Sequence, residues 1–397
     1  MLPPSYVDAL RSVGLARGLH RVGITSADPF ASTFDDLVER RARGLNADMQ
    51  FTYRNPARST EPTRALDGAR SLVVAARAYP PPAGAGRGAS PARAVGVGPQ
   101  ARVAAYAVGD HYAALRHGLD AIAARLVADG HRARVLADDN ALVDRAAAHR
   151  AGLGWFGKNA NLLVDEVGSW VVLGSVLTDA QLPPATAPVP DGCGACTRCI
   201  DGCPTGAIVA PGVVDARRCL AWSLQARGEF PVDQRVALGD RIYGCDECQE
   251  VCPPSRRAIR VGPLEPAPAA PPSTGPGLAV VDLLTLADAA LLAEVGRWYI
   301  ADRDPDLVRR NALVVLGNTA ELPLHPALEQ LLAQYLRHAR PVLRGHAAWA
   351  AKRLGREDLL PAIGSEPDAD VRRELARPVV ARQGSHDATP AAGATLR

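Results

Sequence analysis

The chain has 397 residues, 47% hydrophobic and 22% charged, with a formal net charge of +3. That length provides for two or three domains, and that composition for buried cores, which excludes a largely disordered chain. So small a basic excess excludes nucleic-acid binding through overall charge and confines any RNA contact to a local patch.

Along the chain, Met1 to Arg21 lacks an apolar run followed by a small-residue cleavage site, so no secretory signal is expected. No later apolar run approaches the roughly 20 residues of a membrane span. We expect a soluble, cytoplasmic monomer without a membrane partner. In that reducing compartment the 8 cysteines point to metal or redox chemistry and away from disulfides.

Residues 1–183 alternate short apolar runs with helical patterns. Val22–Thr25, Ser71–Ala76, Arg134–Leu136 and Trp170–Leu177 predict strands. Leu115, Leu119, Ile122 and Leu126 recur at helical steps and predict an amphipathic helix over Tyr112–Asp129. The reading is an α/β domain with a Pro/Gly/Ala-rich loop inserted at Pro80–Pro99. Gln181–Pro190 leads into a cysteine-bearing domain at 184–262, and a proline-rich linker occupies 263–279. Residues 280–382 read as a helical domain with an internal echo. Leu307–Leu313 is repeated at Val342–Ala348 and, more briefly, at Ala369–Arg373. Aspartate or proline ahead of an apolar–arginine pair and an apolar helix is how HEAT-like repeats begin a helix. The tail at 383–397 has no pattern and is expected to be disordered.

The strongest motif is Cys193-x2-Cys196-x2-Cys199-x3-Cys203-Pro204. Three cysteines at two-residue gaps wrap one cubane, while the fourth, before proline, reaches a neighbouring cluster. The second run is Cys245-x2-Cys248-x3-Cys252-Pro253, with its first ligand displaced upstream to Cys219. The crossover assigns Cys193, Cys196, Cys199 and Cys252 to one 4Fe–4S cluster. It assigns Cys203, Cys219, Cys245 and Cys248 to the other. Zinc also takes paired C-x2-C motifs, but does not call for the third cysteine of the run or the Cys-Pro endings. Two clusters form a short electron wire, and a wire needs a terminus.

Upstream, Gly152, Gly154 and Gly157 surround Trp155 in Ala151–Asn159, where backbone can approach a flat ligand or simply turn. No GxGxxG follows a strand with a downstream acid, so a nicotinamide or flavin site is not indicated. In the repeats, Arg309, Arg310, Arg344, His346 and Arg372 occupy equivalent slots and form a candidate nucleic-acid phosphate stripe. The competing reading is an inter-repeat salt-bridge partner, with Asp302, Asp304, Asp306 and Asp370 close by.

Several blocks, in order over nearly the whole chain, resemble the epoxyqueuosine reductase family. They are Val22–Thr25, Asp138 through Asp144-Arg145 to Gly157-Lys158-Asn159, Cys193–Ile208, Ala216–Cys219, Arg241–Pro253 and Arg309–Leu313. The resemblance implies a cobalamin-binding α/β domain, a ferredoxin-like module with two 4Fe–4S clusters, and a HEAT-like tRNA-binding domain. It implies reduction of epoxyqueuosine to queuosine at the wobble position of tRNAs with GUN anticodons, those for aspartate, asparagine, histidine and tyrosine. Electrons would come from an external low-potential donor. It places the proton donor at Asp138, with Asp139 adjacent and helix N-capping as the alternative duty of Asp138. It also suggests Arg58, Tyr106, Asp138, Trp155, Lys158, Asn159, Tyr243, Gly244 and Asp246 as corrinoid-facing. This chain departs from many relatives in reading Asn140-Ala141 for Ala-Pro and Asp144 for Glu, which puts the geometry around the acid in question. The alternatives are a reductive dehalogenase-like corrinoid enzyme and a ferredoxin-type carrier with docking repeats.

Overall fold

A computed structural model of the chain describes residues 1–81, 98–261, 277–296 and 298–382. The inserted loop expected at Pro80–Pro99, the linker Pro263–Pro276 and the tail after Arg382 lie wholly or largely outside the described residues. Those described form two compact units, one of residues 1–81, 104–222 and 245–261, the other of residues 98–103, 223–244 and 277–382.

The first unit is built on an antiparallel sheet of β1 (Arg21–Ser26), β2 (Ser71–Ala78), β3 (Ala133–Ala137) and β4 (Val171–Thr178), in the order β1-β2-β4-β3. All four expected strands are present. Register pairs Arg21 with Ala76, Ser71 with Thr178, and Ala133 with Thr178. The central strands are apolar almost throughout because both faces are covered, and alternate residues serve opposite cores. Leu72, Val74 and Ala76 meet Leu173, Leu177 and the alanines of α3 (Asp144–Arg150) on one face. On the other, Val73, Ala75, Val172 and Val176 meet α1 (Pro4–Leu15) and the Leu115, Leu119, Ile122 and Leu126 stripe of α2 (His111–Ala128).

The cysteine region is no separate body. Cys193–Cys219 and Cys245–Cys252 belong to the unit of the sheet, while residues 223–244 join the helical unit. A domain boundary at 183 is a change in composition, and the chain packs across it.

The second unit stacks α4 (Pro305–Thr319), α5 (Pro326–Tyr335), α6 (Pro341–Arg353) and α7 (Ala369–Ala376), with α4 against α6 and α6 against α7. Proline stands in the first turn of α4, α5 and α6, where its missing N–H is not needed. Asp304 caps α4 by accepting from Asp306, and Asp368 caps α7 by accepting from Asp370 and Val371. A small sheet joins Gln100–Val103 to Arg241–Tyr243 (parallel) and Gly277–Ala279 (antiparallel).

Candidate active site and cysteine centres

Where β3 ends, Ala137 is followed by Asp138 with φ 53°, left-handed backbone that an aspartate adopts at some cost. The helix expected to be capped by Asp138 starts only at Asp144, with Val143 at its N-cap, so Asp138 caps nothing. Its neighbour Asp139 is locally engaged, accepting from the Ala141 N–H at 2.9 Å, with Arg134 4.0 Å away. Asp138 accepts no hydrogen bond among the described residues. Its side chain reaches the surface, yet surrounding protein desolvates it and raises its pKa, against the opposing charge of Arg116 and with help from Asp139.

The loop between β3 and α3 is pinned to Pro56–Thr60. The Ser59 hydroxyl donates to the Asn140 carbonyl at 2.6 Å, and the Val143 N–H donates to the Ser59 carbonyl at 3.1 Å. Phe51, Arg54, Asn55, Arg58, Ser59 and Asn140 line a cavity of about 410 Å³ beside it. Arg58 was expected at the site; Phe51 and Arg54 were not. Residues 51–55 form turns ahead of a short helix at Pro56–Thr60, so no periodicity in the sequence marks these positions as one lining.

Further in, Arg145 and Asp144 have accessible surface, but desolvation is the largest influence on both, lowering the pKa of Arg145 and raising that of Asp144. Tyr53 and Tyr112 act electrostatically on Arg145, Tyr112 also acts on Tyr79, and Tyr79 feels Asp246 and Cys248. These electrostatic couplings link the neighbourhood of Arg145 with that of Cys248. Asp144 Oδ1 and Trp155 Nε1 are buried without hydrogen-bond partners, polar atoms awaiting a ligand or solvent. Unmatched buried polar atoms of this kind suit a site that takes a ligand.

Of the other expected corrinoid-facing residues, Tyr106 is half-buried on a turn of helix whose Ala105 N–H donates to the Asp246 carboxylate at 2.7 Å. Lys158 and Asn159 turn elsewhere. The Lys158 ammonium donates to the Gly194 carbonyl at 2.7 Å, and the Asn159 amide, 4% exposed, donates to the Cys248 carbonyl at 3.3 Å. Both fasten the turn to the cysteine loops. Tyr243 and Gly244 lie in the helical unit. There Tyr243 stacks on Trp298 at 4.3 Å and accepts from the Tyr299 N–H at 2.8 Å, a packing duty. The glycines around Trp155 serve the turn itself, since a Cβ on Gly154 would lie 2.0 Å from the Leu163 carbonyl oxygen.

The cysteines gather in two groups. The electrostatic neighbours of Cys199 are Cys193 and Cys196, and those of Cys252 are Cys199 and Cys193. Cys248 has Cys245, Cys219 and Cys203, and Cys219 has Cys203. Each thiol sits on a built support. The Cys193 N–H donates to Asp191, and single helical turns carry Cys199 and Cys248. The Ala207 N–H donates to Cys203 Sγ at 3.2 Å, the type of contact that tunes a cluster sulfur. Asp215, itself bridged by Arg217, caps the turn before Cys219. Beyond Cys252, the Ser255 hydroxyl lies 3.1 Å from that of Ser169, and the Trp170 indole donates to the Ser255 carbonyl at 3.0 Å. Gly168 fits there only because it has no Cβ, which would stand 2.4 Å from the Ser255 hydroxyl. The cysteine loops are thus bolted to the start of β4.

Sequence comparison gives the same picture. A family model described as a 4Fe–4S double cluster binding domain matches residues 192–255. An epoxyqueuosine reductase of Bacillus anthracis is 32% identical over 366 residues, covering 91% of this chain and 93% of its own length. The chain belongs to the epoxyqueuosine reductase family. The Bacillus subtilis member is likewise 32% identical, over 367 residues and 90% of this chain. Among solved structures, an epoxyqueuosine reductase holding an epoxyqueuosine-modified tyrosine tRNA stem loop superposes with TM-score 0.81. It is 29% identical and covers 94% of this chain and 97% of its own. A Bacillus subtilis form superposes with TM-score 0.78, and its aspartate-bearing catalytic loop is swung out of the active site.

Of the proposed phosphate stripe, Arg309, Arg310 and His346 are buried, while Arg344 and Arg372 are partly exposed but engaged within the unit. Arg309 pairs with Asp306 and Asp288 and donates to the Leu286 carbonyl. Arg310 is 0% exposed and donates to the carbonyls of Ala226, Gly228 and Ser223; burial, with Arg235 nearby, pushes its pKa down to about 9. Arg344 pairs with Glu366 at 2.6 Å. His346, 1% exposed, accepts from the Phe230 N–H, and burial holds it neutral. Arg372 donates to the carbonyls of Glu366 and Pro367. Arg309 and Arg344 take the salt-bridge role, while Arg310, His346 and Arg372 bond to backbone groups within the unit.

Proposed function

We propose that this protein reduces epoxyqueuosine in tRNA to queuosine at the wobble position, with a cobalamin and two 4Fe–4S clusters. The observation that carries the reading is an unengaged carboxyl, Asp138, on the loop whose Asn140 lines the cavity with Phe51, Arg54, Asn55, Arg58 and Ser59. Cys193, Cys196, Cys199 and Cys252 would hold the outer cluster, and Cys203, Cys219, Cys245 and Cys248 the inner one. Between them they would pass electrons from an external low-potential donor. A bound corrinoid would supply low-valent cobalt as the reductant at the substrate carbon. Trp155, Tyr106 and Arg145 would hold it, with Arg58 and Arg54 near its phosphate-bearing side.

Asp138 would donate the proton that lets the epoxide oxygen depart. Desolvation keeps that proton on the carboxyl at higher pH than for a free aspartate, and the absence of competing hydrogen bonds leaves it aimed at substrate. The helical unit would receive tRNA on exposed side chains outside the buried slots of Arg309, Arg310, Arg344, His346 and Arg372. The match of whole chain lengths to epoxyqueuosine reductases favours this over a small-molecule dehalogenase or a carrier.

The test is anaerobic turnover of tRNA carrying epoxyqueuosine with a strong reductant, with and without cobalamin, nucleosides being read by mass spectrometry. Loss of one oxygen only with cobalamin present is the expected result. No conversion by protein holding both clusters and cobalt would reject it.

A further inference from the structure

The turn after Trp155 brings a second asparagine to the inner cysteine group. Trp155 and Phe156 pair across this turn with Leu163 and Leu162, and both leucines are buried. Within it the Gly157 N–H donates to the Asn161 carbonyl at 2.8 Å, and the Asn161 N–H to the Asn159 carboxamide oxygen at 3.2 Å. The Asn161 backbone is therefore fixed on both sides. Its half-buried side-chain amide is directed at Cys248, with Nδ2 4.0 Å from Sγ, and makes no other hydrogen bond among the described residues. The same cysteine group receives the Ala207 N–H on Cys203 Sγ at 3.2 Å. Between the two asparagines, the Ala160 carbonyl accepts from Arg145 at 2.7 Å, so one turn touches both Arg145 and Cys248.

We propose that Asn161 sets the reduction potential of the inner cluster, holding it above the value the four cysteines alone would give. The inference rests on the two-cluster reading above. Cys248 would bind iron as a thiolate, which can only accept, so the amide presents its N–H dipole to the sulfur. An added electron makes the cluster sulfurs more negative. The positive end of a fixed dipole stabilises that form by charge–dipole attraction, whether or not a hydrogen bond closes at this distance. The outer cluster would then pass its electron inward and be oxidised as the inner one is reduced, with the external donor restoring it. No bond is made or broken in the transfer.

The test is a redox titration of full-length, cluster-loaded, corrinoid-free protein, followed by electron paramagnetic resonance. The inner signal is the one that Cys219→Ser disturbs. Asn161→Leu keeps the bulk of the side chain and removes the dipole, while Asn161→Asp puts a negative charge in its place. The inner midpoint should fall from wild type to Asn161→Leu and further in Asn161→Asp, with the outer midpoint unmoved. A merely structural asparagine would broaden the signal or cost iron without that order. Unmoved midpoints, or equal shifts of both clusters, overturn the proposal. If Asn161→Leu does not hold both clusters, the Asn161→Asp midpoint decides. Wild-type protein unable to hold two clusters would instead reject the cluster reading itself.

Discussion

The Asn159 side-chain amide donates to the Cys248 backbone carbonyl at 3.3 Å, joining the turn after Trp155 to a cysteine of the inner group. The same side chain accepts from the Asn161 N–H at 3.2 Å, so both ends of the amide are used inside a buried site. With Lys158, which donates to the Gly194 carbonyl, it ties the turn to the cysteine loops. Asn159→Ala removes this tie and leaves a buried carbonyl unmatched, at about 1–3 kcal/mol. We expect a lower melting temperature and an altered electron paramagnetic resonance signal from one cluster, with the other unchanged. Wild-type spectra and stability would show that the tie is dispensable.

Asp138→Asn should lower kcat by about 10²–10⁴-fold while preserving tRNA affinity, since general acid catalysis commonly contributes that much. The sign of the pH effect follows from the raised pKa. The working form is protonated, so kcat should decline as pH rises through that value. Activity would persist above the range of a free carboxylic acid. Steady-state kinetics across pH, with binding measured separately, checks both.

The cysteine groups make a pairing prediction. Cys196→Ser and Cys252→Ser should disturb the same cluster, although the two residues lie in different motifs. Cys203→Ser and Cys219→Ser should disturb the other. Iron content should fall by about half in each case, as expected when one of two like clusters is lost. Spectra in which Cys252→Ser resembles Cys248→Ser would overturn the crossover.

Arg344 and Glu366 form a bidentate pair, with side chains 13% and 5% exposed. Hydrogen bonding from Arg344 holds the Glu366 pKa below its ordinary value. The unfolded chain then binds the proton more tightly, so the stabilisation is present above the unfolded pKa and lost as pH falls through the folded one. Arg344→Ala leaves the carboxylate buried and unpaired and should cost about 3–5 kcal/mol. Denaturant melts at neutral and acid pH should show the difference between variant and wild type shrinking on acidification.

Arg310→Ala should likewise destabilise the helical unit, because Arg310 holds the carbonyls of residues 223–228. It should leave the salt dependence of tRNA binding unchanged, since a buried guanidinium releases no phosphate counterions. A reduced salt slope in a folded Arg310→Ala protein would return this residue to the RNA surface.

Local chemistry carried much of this protein's character. Apolar runs predict β1 to β4 because strand burial is written in side-chain type along a few residues, and the Leu115–Leu126 stripe predicts α2 for the same reason. The cysteine spacing predicts the crossover because a short loop limits which sulfurs one cubane can reach. Direction in space is another matter. Sequence places Lys158 and Asn159 beside Trp155, but only tertiary packing brings Gly194 and Cys248 close enough to take their hydrogen bonds. Repetition marks Arg309, Arg310, Arg344, His346 and Arg372 as equivalent, yet a repeated slot is equally suited to a neighbouring helix or to a phosphate. Burial decides between them, and burial depends on elements distant in the chain. The unmatched oxygen of Asp144 is likewise invisible in sequence, since an atom lacks a partner only when the rest of the fold has closed around it.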